Sequence, residues 1–422
     1  MNSDKNENKI VVIGNGCAGA ECIKALRENG YSGEIHVLTD SRWPVYNPML
    51  TTYYAAGKIS FDQLFPYGKD DEFYREYKVD VHPASPVVAL DAEKRVVANQ
   101  AGFELKYGQC LIASGASPFL PPIEGLDSSR IYLVRSIGDA VRLKEAIDKK
   151  PGRALVVGAS MIGIKLVELF HQMGIEVCLV DLADRIFPLI AHPECSSLIQ
   201  DRLSRSGIKF RFATSLTKIE EYAGGIRAYF NNSSENEEAD LLAMCIGVRP
   251  NIGFIDRTQV EVEQGVLVDE QMMTNVPDLY AAGDVAQGKN LLSGMHQVIG
   301  LWANARYQGR TAGRNMAGVK EMFPGNIPHN ITHFMGMDFV GIGDTCEYDR
   351  MEKKTDGDRL IQLFWKDGLL RGANFVGTYT EAGVIKNALL KGLMVDKVGY
   401  DASLPVIQNL LIRKMLMEVE KA

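Results

Sequence analysis

No apolar run in this 422-residue chain approaches the about 18 residues that a membrane-spanning helix needs. Positive charge is in deficit too: 46 Lys and Arg stand against 53 Asp and Glu, a formal net charge of −7. A general binder of the phosphate backbone needs a basic face to release counterions, so nucleic acid is not an expected partner. Cysteine is sparse and odd in number. The seven (Cys17, Cys22, Cys110, Cys178, Cys195, Cys245, Cys346) are scattered and form no CxxC pair, which argues against a disulfide framework. The polar stretch Met1–Lys9 holds no apolar core of a secretory leader. These absences predict a soluble, cytoplasmic protein in a reducing compartment. Its 46% hydrophobic content is enough for large cores, and its length suits about three domains.

The first strong pattern runs from Lys9 to Leu26. Ile10 to Ile13 is a continuous apolar run, as in a buried parallel strand. Gly14, Gly16 and Gly19 follow at GxGxxG spacing, and Ala18, Cys22, Ile23 and Leu26 share a helical face up to Gly30. A second strand, Glu34 to Thr39, ends at Asp40. The same grammar returns at Arg153–Val157, with a turn Gly158–Gly163, a helix to Met173 and a strand capped by Asp181. Pro-rich stretches at Ser117–Pro122 and Lys149–Gly152 read as domain crossings, and Asn231–Glu238 as a polar hairpin tip. Alternating stretches, Ile331–Ile342 and Arg359–Trp365, and a helical pattern over Glu381–Leu393 form a third region.

Each glycine of the first unit has a physical role. Gly14 permits the tight turn, Gly16 lets backbone approach a pyrophosphate, and Gly19 lets helix pack closely on strand. The helix N-terminus offers free N–H groups and about half a positive charge to the phosphates. Asp40 suits both ribose hydroxyls. In the second unit Ser160 replaces the middle glycine and adds only a small side chain. Asp181 would repel a 2′-phosphate and favours NAD, while Arg185 nearby keeps NADP open.

Further segments carry a family resemblance. Leu111–Pro118 resembles the strand and turn by which two-dinucleotide flavoproteins return to the FAD domain, and Cys245–Asn251 the end of their inserted NAD domain. Thr274–Asp284 is similar to their second FAD signature, whose aspartate, here Asp284, meets the ribityl and phosphate region. Leu301–Gly309 resembles the helix whose N-terminal amides face the flavin. Over about residues 9–320 the chain is thus identified as a member of the FAD/NAD-dependent pyridine-nucleotide oxidoreductases. It looks most like the branch of NADH-dependent ferredoxin, rubredoxin and nitrite reductases. Trp43–Tyr54 also resembles flavoprotein subunits of multisubunit anaerobic enzymes of the phenylglyoxylate dehydrogenase type.

The resemblance implies FAD contacts at Gly14, Gly16, Cys17, Ala18, Gly19, Thr39, Asp40, Ser41, Asn47, Pro48, Ala113, Ser114, Gly115, Arg135, Gly283, Asp284, Trp302 and Ala303. It implies NAD(H) contacts at Gly158, Ser160, Ile162, Gly163, Asp181, Gly247 and Val248. Disulfide reductases of this family carry a Cys-x4-Cys pair after the first ribose acid, but Asn47–Tyr54 holds no cysteine. Cys17 and Cys22 have that spacing inside the first turn and helix, where five positions are about 140° out of phase and suit no disulfide. No thiol relay is expected. No metal site is expected either: His329 and His333 lie on a strand pattern about 13 Å apart, and His192–Cys195 is a loop cluster.

Lys165 stands where the family usually has a glutamate. It reads either as a drifted surface charge or as a cation beside the flavin. Trp302 reads as core packing or flavin contact, and the C-terminal region, with Phe334, Met335 and Phe339, as an interface or a flavin cover.

The expected architecture is α/β: two Rossmann-like dinucleotide-binding domains of three-layer type and a C-terminal α+β domain. FAD is assigned to 1–118 with 245–322, NAD(H) to 119–244, and an interface or dimerisation role to 323–422. The expected activity exchanges hydride between NAD(H) and flavin, and single electrons with an Fe–S, ferredoxin-like or rubredoxin-type protein, as an oligomer or complex subunit. A free-standing NADH oxidase and a flavin-bound scaffold without catalysis are the alternatives.

Overall fold

A computed structural model describes residues 8–233, 235–377 and 381–392. The chain divides into two compact units. The first comprises the residues up to Phe119, Arg135–Ile137 and Val248–Asn326; the second comprises Leu120–Val134, Gly138–Gly247 and the described residues from Ile327 on.

In the first unit the apolar run becomes β1 (Lys9–Ile13), followed by helix α1 (Cys17–Glu28) and β2 (Glu34–Leu38). With β3 (Asp80–His82), β4 (Gln109–Ile112) and Leu279–Ala281 they form a five-stranded parallel sheet, ordered Leu279–Ala281, β4, β1, β2, β3. A central parallel strand is covered on both faces, which is why Val11 and Val12 are wholly buried and why this strand shows no alternation. The helical face predicted from spacing is the buried one: Ala18, Cys22, Ile23 and Leu26 are at most 4% exposed. Helix Trp302–Met316 lies against α1 where both have small residues. A Cβ on Gly309 would sit 2.2 Å from the Ala18 carbonyl oxygen, and one on Gly313 2.4 Å from that of Cys22.

The second unit repeats the device with β5 (Arg153–Val157), α2 (Met161–Gln172) and β6 (Glu176–Val180). Its parallel sheet runs Lys209–Arg211, β6, β5, Leu241–Met244, Ile131–Tyr132. Of the polar stretch expected as a hairpin tip, Asn231–Glu238, the last two residues belong to strand Glu237–Ala239, which pairs antiparallel with Gly225–Phe230. The same unit holds a five-stranded antiparallel sheet, ordered His329–Phe334, Met337–Gly343, Leu369–Val376, Arg359–Lys366, Arg350–Asp356, and a helix Ala382–Leu390. The expected end of the helical pattern, Leu393, lies outside the described residues. Parallel sheets with packed helices bear out the α/β expectation. Among the described residues no helix is long and apolar enough to cross a membrane.

Candidate functional site

The first unit builds a phosphate cradle from backbone. Gly14 has φ of +105°, and a Cβ there would meet the Ala113 carbonyl oxygen at 2.3 Å. Any larger residue would push β1 and β4 apart or change the turn. At Gly16, by contrast, an added Cβ meets nothing within 4 Å. Gly16 begins α1 with no side-chain cap and no acid in the first turn, so the N–H groups around Cys17, Ala18 and Gly19 stay available for an anion. The backbone thus fits a pyrophosphate at the place the sequence indicates.

Next to it lies a cavity of about 590 Å³ whose lining includes Asn15, Thr39, Ser41, Arg42, Trp43 and Tyr74. The Tyr74 hydroxyl donates to Asn15 Oδ1 at 2.8 Å, and Asn15 Nδ2 donates to the Trp43 carbonyl at 3.1 Å. The Ser41 amide donates to Thr39 Oγ1 at 3.1 Å, which shapes the bend after β2 and leaves Asp40 exposed. Asn47 Oδ1 accepts from the Met49 amide and caps a short 3₁₀ turn opened by Pro48. Local sequence does not single out Arg42 or Tyr74. Asn15 alone carries a signal, as the residue between the first two glycines.

A second group gathers around the turn after β4. Ser114 donates to the Asn251 carbonyl at 2.8 Å, and Asn251 Nδ2 returns a bond to the Ser114 carbonyl at 2.9 Å; Gly115 has φ of +66°. Arg135 pairs with Asp284 at 2.8 Å, two partly buried groups from segments far apart in sequence. Gly283 donates its amide to Gln308 at 2.9 Å, tying this turn to helix Trp302–Met316. That helix also starts without a side-chain cap, at Leu301; the Ala305 amide closes the first turn on the Leu301 carbonyl, and the amides of Trp302 and Ala303 stand ahead of it, open to an acceptor. Trp302 is partly buried and packs on the first unit's core. A network centred on the buried Glu21, which local sequence does not mark, joins the two helices: the Tyr67 hydroxyl donates to Glu21 at 2.7 Å and the exposed Arg306 donates from Nε to the same oxygen at 3.2 Å.

In the second unit Gly158 has φ of +111°, and a Cβ there would lie 2.4 Å from the Cys245 carbonyl oxygen. A Cβ on Gly163 would collide with the Gly158 carbonyl. Ser160 takes the middle position as the helix cap: its Oγ donates to the Cys245 carbonyl at 2.8 Å and accepts from the Gly163 amide at 3.2 Å. Asp181 receives the Ala159 amide at 2.5 Å and the Ala183 amide at 2.7 Å, a carboxylate held beside the turn with further lone pairs to offer. Ile162 is 40% exposed at the helix start, and Gly247 has φ of +110° with open space at its Cβ. Val248 belongs to the first unit, where it pairs with Pro118.

Lys165 is engaged inside the second unit. Its ammonium donates to Glu168 at 2.5 Å and to the His333 carbonyl at 2.7 Å, and Glu168 is only 4% exposed. His329 and His333 face Lys386 and Asp338 respectively, and His192 faces Tyr348. Six of the seven cysteines are buried, Cys346 being the exposed one. Burial pushes the Cys17 thiol up to about 12.

The family described as pyridine nucleotide-disulphide oxidoreductase matches residues 8–309. The chain is 29% identical over 392 residues to the NADH-dependent phenylglyoxylate dehydrogenase subunit epsilon of Aromatoleum evansii, covering 91% of each protein. It is 26% identical to an NADH-rubredoxin oxidoreductase of Clostridium acetobutylicum, covering 95% of this chain and 98% of that one. In fold it is similar to a ferredoxin reductase from Rhodopseudomonas palustris, with a TM-score of 0.85, 21% identity, and 94% and 99% of the two chains covered. With two glycine cradles in place and the family matched over most of its length, the chain belongs to the pyridine nucleotide-disulphide oxidoreductases and is an NAD(H)-dependent FAD oxidoreductase.

Proposed function

We propose that this chain moves electrons between NAD(H) and a one-electron protein carrier of the iron–sulfur or rubredoxin type, as the NAD-linked subunit of a larger complex. The observation that carries the reading is the missing thiol relay: Asn47–Tyr54 has no cysteine, and both Cys17 and Cys22 are buried on α1. A 29% identical relative that is itself a dehydrogenase subunit, matched over 91% of both chains, supports the complex.

FAD, when bound, supplies the exchange between hydride and single-electron chemistry. The protein's part is to hold and orient. Gly14, Gly16, Cys17, Ala18 and Gly19 receive the pyrophosphate. Asp40, Thr39 and Ser41 receive the adenosine ribose, with Asn47 and Pro48 on the turn beyond. Ala113, Ser114, Gly115, Arg135, Gly283 and Asp284 would hold the flavin side, and the amides of Trp302 and Ala303 would offer it hydrogen-bond donors. Gly158, Ser160, Ile162, Gly163 and Gly247 would receive NAD(H), with Asp181 toward the ribose. Arg185 is turned to Asp184 and the Pro188 carbonyl, which supports NAD over NADP. Lys165 has no part in this reading, because Glu168 balances its charge. The Ser160 hydroxyl is taken up in a helix cap, which removes the main support for a scaffold without catalysis.

The test is a competition for electrons. The NADH-reduced, FAD-loaded chain is offered a ferredoxin or rubredoxin in one vessel and O₂ in another. The proposal expects fast reoxidation by the protein carrier and slow reoxidation by O₂. Fast turnover on O₂ with none on either carrier would favour a free-standing NADH oxidase instead.

A further inference from the structure

The parallel pairing of β2 and β3 sets His36 opposite Asp80 and Leu38 opposite His82. Alternate residues of a strand share a face, so Glu34 and His36 from one strand meet Asp80 and His82 from the other at the sheet's edge. His36 Nδ1 lies 3.2 Å from His82 Nε2 and 3.2 Å from Asp80 Oδ2; His82 Nε2 lies 3.6 Å from the same oxygen. These three atoms form the described residues' one cluster of metal-ligand type.

We propose that His36, Asp80 and His82 bind one divalent cation of the zinc class. Ligands 2.0–2.1 Å from a tetrahedral centre stand about 3.3 Å from one another, and the three separations found straddle that value. Proton counting points the same way. Two imidazole nitrogens and a carboxylate oxygen converge on a single point, and His36 Nδ1 has one lone pair or one hydrogen with which to meet two neighbours. A cation satisfies all three atoms at once.

The surroundings are those of a ligand shell. The other ring nitrogen of His36, Nε2, lies 3.4 Å from Glu34 Oε2, and Glu34 is itself held by Lys9 at 3.2 Å. A carboxylate at the far nitrogen favours the tautomer whose bare Nδ1 can face a metal. The His82 ring stacks on Phe103, centroids 5.4 Å apart, which fixes its direction. Nitrogen donors select zinc-like ions over magnesium or calcium, which want oxygen. Asp80 is 64% exposed, so water or an outside ligand reaches the fourth position. Short-range spacing does not mark the site, because Asp80 and His82 are far from His36 in sequence and meet only through strand pairing.

The test uses the tag-free, FAD-loaded full chain, stripped with a chelator and titrated with zinc against a chromophoric competitor. One zinc per chain is expected. His82→Gln and His36→Asn should abolish the competing uptake with the flavin absorbance unchanged, and Glu34→Gln should weaken it about 10- to 100-fold. X-ray absorption of the zinc-loaded wild type should give a shell of imidazole nitrogen and oxygen, a readout independent of whether the variants fold. No competitive uptake, undiminished uptake by His82→Gln, or a sulfur shell would each overturn the proposal.

Discussion

Asp284 and Arg135 meet at 2.8 Å with both side chains partly buried. Replacing Asp284 by Ala removes a charge-assisted acceptor worth about 1.5–3 kcal/mol, so FAD retention on dilution should weaken about 10- to 100-fold while the fold persists. Unchanged FAD retention in that variant would remove Asp284 from the site. Thiol chemistry gives a second prediction. Cys17, Cys178 and Cys245 are pushed up to about 12 by burial, so at pH 8 their thiolate fraction is about one in ten thousand. Only Cys346 should be alkylated in the native protein, before and after NADH, and Cys346→Ser should leave none. Burial favours the neutral thiols, so the stability they contribute is complete below pH 9, the unfolded value, and falls as pH rises toward 12. The residues that sequence can name are those fixed by local backbone need, such as Gly14, Gly16 and Gly158. Arg42, Tyr74 and the Glu21–Tyr67–Arg306 network depend on where distant segments come together, and no local spacing marks them.

Elements carry the next scale. Helix Trp302–Met316 holds its open N-terminus in place through Gly309 and Gly313, where a Cβ would run into the α1 backbone. Gly313→Val should therefore cost several kcal/mol by overpacking and lower FAD occupancy together with Tm. A variant that keeps both would show that the two helices can separate freely. In the second unit Lys165 and the buried Glu168 link α2 to strand His329–Phe334. Lys165→Met leaves the Glu168 carboxylate with the Gln172 side chain and the Met335 amide but without its cation. It should cost about 3 kcal/mol in a thermal or urea melt, and Lys165→Met with Glu168→Gln should recover most of it. Both strand–turn–helix units are legible in the sequence because apolar runs, glycines and acids recur in one order. Ser160 reads there as a blemish in the motif, whereas its hydroxyl replaces an open glycine by a helix cap. The role of Lys165 is not legible, since Glu168 lies one turn along α2 while the His333 carbonyl comes from another part of the chain.

At the scale of the whole molecule, two dinucleotide cradles stand in one chain that offers no thiol pair to relay electrons. The family's disulfide-using members store electrons in a thiol pair as well as in the flavin, whereas this chain has the flavin alone to fill. The most direct measurement is an anaerobic titration of the FAD-loaded chain with NADH, followed at the flavin absorbance band. The account predicts complete bleaching by one NADH per FAD, with no further uptake and no new reactive thiol. A requirement for two NADH per FAD would reveal a hidden redox disulfide, and a bound flavin that NADH leaves unbleached would contradict the account outright.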